Sequence, residues 1–142
     1  MAWWCGAGPA DGGDPAADYA RHLAAVRDRL PPALVATQEA VSLHDARLRE
    51  WVVRPADATA RLVLDGRAGD ERFTLTYTGV EQVESAADPA VGLRGPHGYG
   101  EFGYDEVAVL PTGVFEHRML FSSGIELCVV FGGFDLRRES RT

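Results

Sequence analysis

Tyr19, Leu23, Val26 and Leu30 recur at spacings of 4, 3 and 4, which places them on one stripe of a helix. Asp14-Pro15 supplies the start, a capping carboxylate followed by proline at the first helical position. Pro31-Pro32 ends this helix and can open a shorter one carrying Leu34, Val35, Gln38 and Val41. After Ser42-Leu43-His44-Asp45-Ala46 the period falls to two. Ala46, Leu48 and Val52 alternate with Arg47, Arg49 and Trp51, and Pro55 closes the segment. Ala60, Leu62 and Leu64 alternate with Arg61 and Val63, and Phe73, Leu75 and Tyr77 alternate with Arg72, Thr74 and Thr76. Turn residues Asp65-Gly66 and Gly69-Asp70 join these two runs into a hairpin with one buried face.

The last third predicts three strands, over residues 104–110, 114–121 and 125–131. Pro111-Thr112-Gly113 and Ser122-Ser123-Gly124 are three-residue turns with glycine last, and that length fixes the register. Val107 then faces His117 and Asp105 faces Met119; across the second hairpin, His117 faces Val129 and Met119 faces Leu127. One face is apolar. The other carries Glu106, Arg118 and Glu126 in a cross-strand row that reads as an ordinary surface ladder.

Together these patterns predict an α+β fold, with two N-terminal helices packed on an antiparallel sheet of about five to six strands ending in a three-stranded meander. The expected organisation is a flexible segment over residues 1–13, one domain over 14–136 and a tail over 137–142. Trp3-Trp4 stands in the first segment, where at least one indole is expected to dock on the domain. Phe134 and Leu136 extend the apolar pattern past Gly132-Gly133, and Arg137, Arg138 and Arg141 read as a solvated end. Residues 84–103 form one long irregular, glycine-rich segment, a length that often carries function. Its aromatic residues Tyr99, Phe102 and Tyr104 are candidates for a contact surface.

Composition narrows the function classes. The chain has 142 residues, enough for a core without staples. Its net charge is -7, and the 14 basic residues, all arginine, are dispersed, which excludes the basic patch of a nucleic-acid binder. The acidity suits a basic protein partner drawn in by electrostatic steering. No apolar stretch approaches the ~18 residues of a membrane span. Neither Cys5 nor Cys128 belongs to a paired motif, so the expected compartment is the cytoplasm.

Few motifs carry chemistry. Gly98-Tyr99-Gly100-Glu101-Phe102-Gly103 matches G-x-G-x-x-G, but it follows a loop and leads into a strand, so no nucleotide site is expected. His44-Asp45 is the only adjacent His-Asp pair, and His117 shares the apolar face with Asp105. His44, Asp45 and His117 are the candidate acid-base residues. If the helix-to-sheet junction lies over that face, His44, Asp45, Asp105 and His117 could converge on a divalent metal. Against this, neighbouring residues on a strand point apart, a histidine on a sheet face is usually a satisfied core residue, and Ser42-x-x-Asp45 fits a capping pattern. Cys128 falls on the opposite face from His117 and cannot pair with it.

The run from Leu43-His44-Asp45-Ala46, through Tyr77-Thr78-Gly79-Val80 and Tyr104-Asp105-Glu106-Val107, to Gly113-Val114-Phe115-Glu116-His117-Arg118 resembles small bacterial proteins with a Leu-His-Asp signature after a helical pair. Some of these are of immunity type and neutralise a toxin encoded nearby. The resemblance spans about residues 15–135 and brings no catalytic residues. It implies a non-enzymatic, acidic, protein-binding module without a cofactor. The alternative is a small metal-binding protein or hydrolase built on the His/Asp cluster.

Overall fold

The computed structural model describes residues 15–39, 43–86 and 100–140. Helix α1 (Pro15–Val26) runs into a 3-10 turn (Arg27–Arg29), and α2 (Pro32–Glu39) follows. Pro31 does what a proline pair predicts: its carbonyl accepts the Leu34 and Val35 N–H groups at 3.0 and 3.1 Å and so opens α2. Arg27 on the turn pairs with Glu39 at the end of α2 at 3.0 Å.

Eight strands follow: β1 (Arg47–Arg54), β2 (Thr59–Asp65), β3 (Glu71–Thr78), β4 (Gln82–Ala86), β5 (Phe102–Val109), β6 (Phe115–Phe121), β7 (Glu126–Phe131) and β8 (Gly133–Ser140). They make two four-stranded antiparallel sheets, ordered β1-β2-β3-β8 and β4-β7-β6-β5, in place of the single sheet of about five to six strands. The division has a physical origin in two stacked bends. Gly79 takes φ 58 between β3 and β4, and its carbonyl and that of Thr78 both accept the N–H of Gly132 between β7 and β8. Each bent pair therefore contributes one strand to each sheet. On the far side, Asp45 N–H donates to the Phe102 carbonyl and Phe102 N–H to that of Ala46, both at 2.7 Å, joining β1 to β5.

One continuous core lies between the sheets. It includes Leu48, Leu62, Leu75 and Tyr77 from the first sheet and Phe102, Met119, Leu127 and Phe131 from the second. Each large side chain contributes about 1.5–3 kcal/mol on burial. Helix α1 packs against β5 and α2 against β8.

The meander register is as expected, with Val107 opposite His117, Asp105 opposite Met119, and His117 opposite Val129. Gly113 and Gly124 close its turns at φ 90 and 91. Three expectations need correction. Residues 137–140 are not a tail: they complete β8, where Arg137 faces Thr74 and Arg138 faces Phe73. Of the segment 84–103 expected to be irregular, residues 84–86 belong to β4 and 102–103 to β5. In β1 the alternation inverts: a bulge between Leu48 and Glu50 places Trp51 opposite Leu62, so Trp51 rather than Val52 joins the core side. Asp14, Ser42, Trp3-Trp4, Cys5, Tyr99 and Arg141 lie outside the described residues.

Candidate functional site

The inward alternation of β5 and β6 brings Asp105 and His117 together, as their register requires. His117 Nε2 lies 2.7 Å from Asp105 Oδ2, and Nδ1 lies 2.7 Å from Tyr77 Oη across the gap between sheets. The carboxylate can only accept, so Nε2 carries the hydrogen. In the neutral ring, Nδ1 then accepts from the Tyr77 hydroxyl. Burial, with the Asp105 charge adding to it, holds the Tyr77 phenol well above its ordinary range, so it keeps the proton this bond needs.

The chain of bonds continues into both helices. Gln38 Nε2 donates to Asp105 Oδ2 at 2.5 Å, and Tyr19 Oη donates to Gln38 Oε1 at 2.7 Å. Tyr19 in turn accepts the Val107 N–H at 2.8 Å, and His22 Nε2 donates to the Val107 carbonyl at 3.1 Å. Thus α1 side chains satisfy backbone groups along β5, a helix covering a sheet edge. Burial raises the Tyr19 phenol too, although the Val107 N–H pulls the other way. Among the described residues no buried side-chain nitrogen or oxygen lacks a partner, and His117 is 0% exposed. The relay ties α1, α2, β3, β5 and β6 together.

His44 and Asp45 lie elsewhere. Leu43 to Ala46 form a turn closed by the Ala46 N–H on the Leu43 carbonyl at 2.9 Å, with Asp45 left-handed at φ 67. His44 Nδ1 donates to the Gly103 carbonyl at 2.9 Å, and its ring stands 5.6 Å from that of Tyr104. The turn brings the two neighbouring side chains together, where an extended backbone would have parted them: His44 Nε2 is 3.6 Å from Asp45 Oδ1. Asp45 Oδ2 faces Arg67 at 3.7 Å. Beside it opens a polar cleft of about 310 Å³ lined by Asp45, Arg47, Arg49, Asp65, Arg67 and Glu101. Within that cleft Asp65 is held by Arg49 at 3.1 Å and by Arg72 at 2.9 Å.

The four proposed metal ligands therefore fall into two pairs, one exposed and one buried. Among the described residues no group of three or more His, Cys, Asp or Glu could hold a metal. Convergence fails because the junction turn hangs on Gly103, at the start of β5, and not over the inner face that carries His117.

The outer face of the second sheet is acidic. Glu84, Glu116 and Glu126 surround Arg118 and Cys128. Arg118 bonds Glu116 at 2.8 Å and Glu126 at 3.4 Å, and the Glu116 bond raises its guanidinium further. The expected cross-strand row is modified: the residue opposite Arg118 on β7 is Cys128, Glu126 is diagonal to it, and Glu106 is buried. Cys128 does lie opposite His117 across the sheet. Burial first, and Glu116 next, push its thiol up to about 12, so it is a poor nucleophile.

Of the aromatic contact candidates, Tyr104 is 50% exposed, whereas Phe102 is 1% exposed and packs edge-on against Phe121 at 5.6 Å. Phe102 is core, not surface. β5 starts at Phe102, so the glycine motif leads into a strand. Sequence reasoning missed the roles of Tyr19, Gln38 and Tyr77. The signal available was that a buried tyrosine hydroxyl needs a partner. No known protein family matches the chain, and no match is found among curated proteins.

Proposed function

We propose that this protein is a non-enzymatic binding module of immunity type that recognises a basic protein partner through the outer face of its second sheet. The observation that carries the reading is the contrast between its two sets of ionisable groups. The Asp105–His117 pair is tied up in hydrogen bonds within the protein, whereas Glu84, Glu116 and Glu126 stand around the cation Arg118 on a sheet face. Tyr104, half exposed on β5 of the same sheet, adds an aromatic contact of the kind that interfaces favour. A net charge of -7 steers such a partner in.

The test is co-expression with the basic products of neighbouring reading frames. The reading predicts a stoichiometric complex whose association slows as salt rises. Failure of every basic neighbour to co-purify would remove its support.

A further inference from the structure

We infer that His44 and Asp45 form a two-ligand site for a divalent transition-metal ion such as Zn²⁺. Three observations on the junction turn carry it. The first is the tautomer. The Gly103 carbonyl can only accept, so the hydrogen of neutral His44 sits on Nδ1, 2.9 Å away, and Nε2 is left as a bare lone pair. A backbone carbonyl behind one ring nitrogen is the support that orients a metal-binding histidine, and the Tyr104 ring at 5.6 Å braces it further.

The second is spacing. At 3.6 Å, Nε2 and Asp45 Oδ1 are too far apart for a hydrogen bond. Zinc binds imidazole nitrogen and carboxylate oxygen at about 2.0–2.2 Å, which at a tetrahedral angle separates the two donors by about 3.4 Å. The charge of Arg67 lies 3.7 Å from the other carboxylate oxygen, so Oδ1, which faces Nε2, is the oxygen offered to the ion.

The third is the backbone. Asp45 adopts φ 67, a conformation uncommon outside glycine, and it is this conformation that turns two consecutive side chains toward each other. The side chains are 53% and 40% exposed, so the remaining coordination positions open to solvent. The buried pair makes the contrast: between His117 and Asp105 a hydrogen already occupies the 2.7 Å gap.

The experiment is titration of the full chain with zinc alone, read from the imidazole ¹H–¹⁵N correlations. The expected result is a selective shift of His44 Nε2, with His117 unmoved and the Nδ1 hydrogen retained. Asp45→Gly removes the carboxylate while easing the left-handed backbone, so the fold is kept, and it should weaken zinc binding about tenfold or more. His44→Gln should abolish the shift. Two results would overturn the site: His44 signals that stay unmoved at millimolar zinc, or an Asp45→Gly variant that binds as tightly as the wild type, which would mark a lone surface histidine.

Discussion

Tyr77→Phe removes one oxygen from the centre of the molecule and leaves the ring in place. The phenyl group keeps its edge-on contacts with Phe131 and Phe134, at centroid distances of 4.9 and 5.2 Å. What is lost is the donor to His117 Nδ1, in a position with 0% exposure. Leaving a buried acceptor unpaired costs about 1–3 kcal/mol, and the Met119 sulfur offers no donor in exchange. Against a usual total of about 5–15 kcal/mol this is a large share. In urea, the midpoint should fall with an unchanged slope, because the surface exposed on unfolding is the same. The melting temperature should drop by about 5 °C. The cycle with His117→Leu isolates the bond: in that background Tyr77→Phe should cost at least about 0.5 kcal/mol less. A loss below about 0.5 kcal/mol in the wild type, or equal losses in both backgrounds, would refute the relay.

Further outcomes follow from the same structure. Phe102→Ala should destabilise by about 3–5 kcal/mol as a core truncation, while Tyr104→Ala should leave the unfolding midpoint nearly unchanged. Cys128 should react with a thiol reagent at neutral pH at least about tenfold more slowly than in the unfolded chain, read by mapping the modified peptide. Its folded value, about 12, lies above the ordinary thiol value of 9.0, so the unfolded state loses its proton first. The stability this contributes is therefore present below pH 9.0 and is lost as pH rises toward about 12; Cys128→Ala should flatten that alkaline decline. Gly113→Ala should cost about 1 kcal/mol or more by thermal unfolding, because φ is 90 there although space around it is open.

How far the fold could be read in advance depended on how local its causes are. The meander was legible because two three-residue turns ending in Gly113 and Gly124 fix each pairing through short-range geometry. The split into two sheets was not, because Gly79 and Gly132 act only by stacking on each other across more than fifty residues of sequence. Nothing near either glycine announces that contact. The bulge at Arg49 and Glu50 likewise leaves no mark on a run that alternates well on both sides. Strand β8 was half visible: Phe134 and Leu136 alternate, but Arg137 and Arg138 pair on an edge strand where charge is normal, so composition resembled a tail.

The candidate site divides in the same way. Asp105 and His117 were brought together by register alone, since both sit on the inner face of adjacent strands. Tyr77 was read correctly as inward-facing, yet it belongs to the other sheet, and its meeting with His117 depends on the stacked bends. His44 and Asp45 differ from expectation for a local reason. A lead into a strand makes neighbours diverge, whereas a closed turn with one left-handed residue brings them to 3.6 Å.

The functional reading rests on the glutamates of the second sheet, and one measurement addresses it most directly. Affinity for the co-purifying basic partner should be determined by calorimetry for the wild type and for the triple variant Glu84→Gln, Glu116→Gln, Glu126→Gln. The two proteins should unfold at similar temperatures, because glutamine keeps the size of each side chain and an oxygen that can accept from Arg118. The account predicts binding weakened about tenfold or more in the variant, together with a shallower dependence on salt between about 0.05 and 0.3 M. Equal affinity and an equal salt slope in the two proteins would contradict it.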